Sequence, residues 1–173
     1  MASTSKIWQS VAETDGAGIH HKATIQAPDV PTLAAGESYS GVADVQILAA
    51  AVQTLNATPV TVLAAPGAGN YYTVQSVAAF LDHQGVDYDA AAAGDTLDLK
   101  YTDASGDALT GPIAGDVLGG ASGDAYAFAI GMVTYPVLNA VVVAHLNAGE
   151  WYSAAGDGIL NLRIAYTVHK AQA

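Results

Sequence analysis

Apolar side chains occupy every second position from Leu160 to Val168, with polar or small residues between them. An alternation of this length predicts a β-strand with one buried and one exposed face. Residues 97–101 alternate in the same way, so we expect Asp98 and Lys100 on a solvated face. Residues 140–146 are almost entirely apolar, which favours a central strand covered on both sides.

A further strand is predicted where Tyr126, Phe128 and Ile130 alternate with alanines. One face of this strand is bulky and the other small, which indicates that something packs closely over the alanines. Small faces of this kind also suit close contact between subunits.

Three more strands are expected at 19–25, 58–64 and 71–82. Residues 42–55 fit a helical stripe and an alternating strand equally well, and we favour a strand with a bulge. The glycine-rich residues 65–69 lie between two strand-like runs, and we interpret them as a hairpin connection.

Frequent glycine and proline residues separate these short runs, as is typical of antiparallel all-β folds. The sequence therefore predicts an antiparallel β-sandwich or jelly-roll of about eight strands. Long connections rich in Gly, Ala and Asp are expected at 83–95, 102–124 and 147–158. No linker divides the chain, so residues 19–173 are predicted to form a single β-sandwich domain.

Residues 1–18 are interpreted as an extended N-terminal arm that ends in a glycine pair. Its apolar cluster consists of Ile7, Trp8 and Val11, and we expect this cluster to dock on a neighbouring subunit. The alternative is a strand added to the edge of the chain's own sheet, because exposed sheet edges need covering.

Two large aromatic residues, Trp151 and Tyr152, follow Glu150 in a connection otherwise made of small residues. Aromatic residues in such a position are common anchors of protein interfaces and of sugar-binding sites. They could equally cover the end of the sandwich as part of the core, and the sequence leaves both interpretations open.

The charge of the chain is strongly acidic, with 16 Asp and Glu against 5 Lys and Arg, for a formal net charge of −11. No cation lies between Lys22 and Lys100 or between Lys100 and Arg163. Because nucleic-acid binding requires several basic side chains on phosphates, we expect no nucleic-acid partner. No apolar window approaches the ~20 residues of a membrane span, so we also expect no membrane contact and synthesis in a cytoplasm.

The usual catalytic and metal-binding patterns are missing. Cysteine is absent, His20 and His21 would point to opposite faces of a strand, and the other histidines occur singly. Asp103, Ser105 and Asp107 imitate the start of an EF-hand loop, but the required glycine and bidentate glutamate are lacking. We expect a carboxylate-rich turn there, with no metal, no cofactor and no enzymatic activity.

Three segments carry a resemblance: Thr54–Gly69, Leu97–Asp103 and Gly156–Tyr166. Together they make the chain similar to the capsid decoration, or cement, proteins of tailed bacteriophages over residues 42–168. The resemblance implies a β-sandwich or jelly-roll that oligomerises, commonly as a homotrimer. It also implies a position on the outer capsid surface of the virion, where the protein binds the major capsid protein and clamps neighbouring coat subunits.

An alternative function fits the same features. The chain could be a phage tail or fibre module that binds host-surface carbohydrate, with Trp151 and Tyr152 stacking on a sugar ring. The copy number of the protein in each virion distinguishes the two, because a shell protein is abundant and a tail module is not.

Overall fold

The computed structural model describes residues 12–14, 19–21, 32–88, 95–114, 123–132, 135–147 and 156–172. Within them the chain is all-β apart from one short helix, α1 (Ala49–Val52). The strands are β1 (Ala12–Thr14), β2 (Ile19–His21), β3 (Ser38–Ile47), β4 (Val60–Leu63), β5 (Asn70–Asp82), β6 (Thr96–Tyr101), β7 (Ile113–Ala114), β8 (Ala125–Ile130), β9 (Val142–Asn147) and β10 (Ile159–Lys170). Strands β3 to β10 form two four-stranded antiparallel sheets, which confirms the predicted all-β class. None of the described helical residues belongs to a helix of the length and hydropathy of a membrane span.

The first sheet has the strand order β3-β10-β5-β8. Strand β10 lies inside it and pairs with β3 on one side and β5 on the other. The alternate apolar positions from Leu160 to Val168 are at most 3% exposed, whereas Arg163 between them is exposed. The alternation predicted for this strand is therefore confirmed.

The second sheet has the order β4-β9-β6-β7. Strand β9 lies between β4 and β6, and its residues from Val142 to Leu146 are all buried, which confirms the central strand predicted at 140–146. The short strand β7 pairs with β6. It arises within the long connection predicted at 102–124, so that segment is not entirely loop.

The two sheets enclose one hydrophobic core to which both contribute. Val77 and Leu81 of β5 and Leu97 and Leu99 of β6 are at most 1% exposed. Burying each such side chain stabilises the fold by roughly 1.5–3 kcal/mol before the entropic cost of ordering it. The sheets thus hold together mainly through packing.

Buried tyrosines add hydrogen bonds between the sheets. The hydroxyl of Tyr101 on β6 donates to the carbonyl of Tyr72 on β5. The Tyr72 hydroxyl in turn donates to the carbonyl of Ala64 at 2.8 Å. Burial raises the pKa of both hydroxyls, so they remain protonated donors over the whole range in which the protein is expected to work.

Residues 65–69 are not a hairpin, because β4 belongs to the second sheet and β5 to the first. The connection instead carries the chain across the edge of the sandwich, with Gly67 and Gly69 at φ of 93° and 73°. The hairpin prediction was wrong because a sequence of two strand-like runs joined by a glycine-rich turn is the same in both cases. It does not show whether the two strands pair or lie in different sheets.

The favoured strand with a bulge at 42–55 is only partly right. Strand β3 ends at Ile47, and Ala49–Val52 is helical. Val52 and Leu55 are fully buried, whereas Leu48 is 55% exposed. The helical turn therefore directs two apolar side chains into the core where the chain leaves the sheet.

Strands β1 and β2 pair with each other in a separate two-stranded sheet, with Thr14 opposite Ile19. They lie on either side of residue 18, where the predicted arm meets the predicted domain. The division into residues 1–18 and 19–173 remains a prediction.

Candidate interaction surface

The outer face of the first sheet carries two polar side-chain pairs on the side of β3 and β10. Arg163 Nη1 lies 3.5 Å from Asp44 Oδ1, and Gln46 Nε2 donates to Asn161 Oδ1 at 3.2 Å. Both pairs are exposed. An exposed ion pair such as Arg163–Asp44 contributes only about 0–1 kcal/mol to stability. The pairs keep this half of the face hydrophilic.

The other half of the same face, along β8, is apolar. Tyr126, Phe128 and Ile130 are 71%, 63% and 65% exposed, whereas Ala125 and Ala129 are 7% and 6% exposed and face the core. The alanine face is therefore packed inside the chain's own sandwich, and the expectation that it suits contact between subunits is wrong. The bulky face is the one left open.

The closely packed neighbour of the alanines is the second sheet. Strand β7 lies against β8, and Thr110 forms a β-bridge with Gly131 just beyond the end of β8. Alanine side chains leave room for this close approach, because a larger residue in a packed core forces its neighbours apart. This contact covers the alanine face of β8 and leaves its bulky face exposed.

Three more apolar side chains are exposed after β8, in the part of the chain that leads to β9. Met132, Tyr135 and Leu138 are 50%, 88% and 53% exposed. We name this set of exposed apolar side chains the β8 strip, and it consists of Tyr126, Phe128, Ile130, Met132, Tyr135 and Leu138. The sequence already held one signal of it, because residues 125–147 contain no Asp, Glu, Lys or Arg.

An open groove of about 690 Å³ separates the strip from the polar half of the face. Ala78 lies at its floor, opposite Phe128 on one side and Arg163 on the other. Phe80 stacks on Tyr126 with ring centroids 4.6 Å apart and an angle of 20° between the rings. The face therefore presents an aromatic ridge next to a groove.

All five residues predicted from sequence as interface residues lie outside the described residues: Ile7, Trp8, Val11, Trp151 and Tyr152. Their contact roles remain predictions. The β8 strip was missed as a site because alternation shows that two faces differ but does not show which one points inward.

A buried polar cluster lies on the outer side of the second sheet. Asp98, Lys100 and His145 are 6%, 9% and 6% exposed, so the prediction that Asp98 and Lys100 face solvent is wrong. The Asn147 side chain joins the two charges, because its Nδ2 donates to Asp98 Oδ2 and its Oδ1 accepts from Lys100 Nζ at 2.8 Å. Lys100 Nζ also donates to the carbonyl of Ala104 at 2.9 Å.

Burial shifts the ionisation of this cluster. Desolvation raises the pKa of Asp98, and the Lys100 charge, the Thr96 hydrogen bond and His145 oppose that shift. Desolvation, followed by Lys100, lowers the pKa of His145. Because all three titratable groups are nearly inaccessible and the two charges are held by internal bonds, we assign the cluster a structural role.

The His145 shift predicts a loss of stability in mild acid. A histidine whose pKa is lower in the folded state stabilises the fold fully above its unfolded pKa of about 6.5, and this stabilisation is lost as the pH falls through the folded value. The unfolding free energy of the wild type should therefore decline in mild acid. We expect this decline to be smaller in His145→Gln than in the wild type. His83→Gln, at a partly exposed histidine paired with Asp87, is the control, and identical pH profiles for both variants would contradict the assignment. Denaturant unfolding between about pH 7 and pH 5 measures the difference.

The acidic loop after β6 forms a turn held by its own side chain. Asp103 Oδ1 accepts from the Ser105 amide at 2.8 Å and from the Ser105 hydroxyl at 2.6 Å, and these bonds lower the pKa of Asp103. In the portion of the chain that the structure describes, no three His, Asp or Glu side chains converge as a metal site would require.

Comparisons with known proteins give little to identify the chain. No family model and no curated protein sequence matches it. A solved chain described as "Cyanophage Pam1 capsid asymmetric unit" is similar, with a TM-score of 0.43 and 21% sequence identity. The similarity covers 90% of this chain and 99% of that chain. At this level it does not assign a function to the protein.

Proposed function

We propose that the chain is a structural virion protein that coats the outside of a bacteriophage head. In this role it binds the major capsid protein and stabilises the coat lattice as a homo-oligomer, which the resemblance to decoration proteins implies is a trimer. It acts through its surfaces and is not an enzyme, and it uses neither a cofactor nor contacts with nucleic acid or membrane.

The observation that carries this proposal is the exposed β8 strip. The largest apolar patch of a typical monomeric protein is about 300–600 Å², and such a patch is often a functional site. Tyr126, Phe128 and Tyr135, each more than three-fifths exposed, together present on the order of 400 Å², since each ring can bury about 150–250 Å². Ile130, Met132 and Leu138 enlarge the surface further. A surface of this size supports a protein that works by binding other proteins.

The strand connections support a jelly-roll, which we include in the proposal. Between β3 and β10 the chain changes sheet at every connection except that from β6 to β7, and the first and last of these strands pair with each other. Jelly-rolls of two four-stranded sheets are common in viral capsid domains and in lectins. The architecture therefore suits both the shell protein and the alternative carbohydrate-binding tail module.

The net charge of −11 supports a position outside the shell. Proteins bind nucleic acid by placing Lys and Arg on its phosphates. An acidic protein is instead repelled by the nucleic acid inside the shell. It is also kept soluble by self-repulsion while apolar side chains remain exposed.

Binding to purified heads tests the proposal. Heads that lack the protein are mixed with the purified chain and sedimented, with another acidic protein of similar size as the control. We expect saturable binding at a copy number comparable with that of the coat protein, and a higher temperature of head disruption. Failure to bind heads would contradict the shell role. If purified tails treated in the same way bind a few copies and heads bind none, the carbohydrate-binding alternative is favoured.

A further inference from the structure

We propose that the β8 strip is the surface by which one copy of this chain binds another copy. The inference rests on the self-association included in the proposed function and names the contact that produces it. The occupant of the strip is therefore a second copy, and the coat protein is bound by other surfaces.

The charge distribution favours a second copy as the partner. Two chains that each carry −11 repel each other wherever carboxylates face one another. Residues 125–147 contain no charged Asp, Glu, Lys or Arg, and the nearest charges on this face are Asp124, Asp82 and the mutually paired Asp44 and Arg163. Two copies can therefore meet at the strip without bringing charged side chains of the strip itself together.

The size of the strip is sufficient for a specific contact. Stable interfaces bury about 800 Å² on each partner, and the three exposed rings of the strip supply about half of that by the areas given above. Ile130, Met132 and Leu138, all at least half exposed, add to the exposed apolar area. Interface centres are enriched in aromatic residues and methionine and depleted of charge, which is the composition of the strip.

The shape of the face also suits self-association. The ridge made by Phe80, Tyr126 and Phe128 borders the groove floored by Ala78. A neighbouring copy can place its own ridge in that groove, because ridge and groove occur side by side on every copy. A partner that relies on charge would find no complementary side chain on the strip itself.

Measuring the mass of the full chain in solution tests the inference. Light scattering after size-exclusion chromatography, and sedimentation equilibrium at micromolar concentration, should show an oligomer for the wild type. The double variant Tyr126→Ser/Phe128→Ser should raise the dissociation constant by about a hundredfold or more, as expected for two central aromatic anchors.

A matched control removes exposed apolar side chains elsewhere. Leu48 and Val86 are 55% and 43% exposed and lie outside the strip, so Leu48→Ser/Val86→Ser should leave the dissociation constant unchanged within about threefold, since residues outside the contact contribute little. Because all four side chains are on the surface, both double variants should melt as the wild type does when each is unfolded as a monomer.

Salt gives a second readout. Raising the ionic strength from about 0.05 M to about 0.5 M screens the repulsion between acidic copies, so the wild-type oligomer should bind more tightly or equally well. An interface made of ion pairs would weaken instead, and that result would overturn the inference.

The remaining outcomes also decide the question. A monomeric wild type, or a strip variant that associates as tightly as the wild type, overturns the inference. A strip variant that stays oligomeric but no longer sediments with heads assigns the strip to the coat protein, which overturns the inference and leaves the proposed function intact. If the wild type is oligomeric through the strip but never binds heads, the proposed function fails and the contact stands.

Discussion

Replacing Gly131 with alanine is expected to lower the free energy of unfolding by about 3 kcal/mol or more. A Cβ at this position would lie 1.6 Å from the carbonyl oxygen of Val74 and 3.2 Å from Gln75 Cα. Both contacts are with backbone, so no side chain can rotate away. The Gly131 amide also donates to the carbonyl of Gln75 at 2.7 Å, and this bond would be lost as the end of β8 moves.

Gly111→Ala provides the matched control, because Gly111 belongs to the same bridged region. The Gly111 amide donates to the Ile130 carbonyl at 2.9 Å, yet the nearest atom to its Cβ would be that carbonyl oxygen at 3.8 Å. We expect a change within about 0.5 kcal/mol, as for most surface substitutions. Denaturant unfolding at one fixed protein concentration measures both variants, since association shifts the apparent stability. Equal midpoints for the two variants would show that the close approach of β8 to β5 is not as described.

Replacing Lys100 with methionine should also cost about 3 kcal/mol or more, because removal of one partner leaves a buried charge uncompensated. Asp98 is 6% exposed and its pKa is already raised by burial. The substitution removes the cation that opposes this shift, and it leaves the Asn147 Oδ1 and the Ala104 carbonyl without their donor.

Two variants show whether the cost comes from burial of the charge. Arg163→Met makes a similar change at a side chain that is 69% exposed, and it should alter stability by at most about 1 kcal/mol. Adding Asp98→Asn to Lys100→Met removes the stranded carboxylate and should recover a large part of the loss. If the double variant is no more stable than Lys100→Met alone, the stranded carboxylate is not the cause.

The elements that sequence predicted well are those whose pattern has a single physical meaning. The alternation from Leu160 to Val168 matches a strand with one face on the core, and the apolar run before Asn147 matches a strand covered on both sides. In each case burial of the apolar residues is possible in one way only. These two strands lie inside their sheets, so neighbours on both sides hold them in register.

The errors concern contacts between distant parts of the chain. In β8 the alanines face the core because β7 approaches there, and size alone does not reveal which face will be covered. Asp98 and Lys100 are buried by surroundings that include Ala104 and Asn147, and no local pattern predicts that covering. The helical turn after Ile47 is a similar case, because it forms where Val52 and Leu55 pack into the core, and that packing depends on distant parts of the chain.

The candidate site was predicted less well than the fold. The sequence indicated a surface-acting protein with interface residues that include Trp8 and Trp151, and those contacts stay predictions because both residues lie outside the described part of the chain. It gave no prediction that the outer face of the β8 strip is exposed. A tryptophan in a small-residue loop is conspicuous, whereas Tyr126 and Phe128 look like ordinary core positions of a strand. Their exposure depends on how the two sheets meet, which is a property of the whole sandwich.

The position of β10 between β3 and β5 has a consequence for biosynthesis. Of the strands described, β10 is the last to leave the ribosome, and both of its neighbours in the first sheet are synthesised before it. The hydroxyls of Ser40 and Thr167 form a hydrogen bond across 127 residues of sequence. Until residues 159–170 are available, β3 has no partner in that sheet and β5 has only β8. Contacts of such long range slow folding, so the sandwich should close only after translation has passed β10, and nascent chains shorter than this should remain sensitive to proteases.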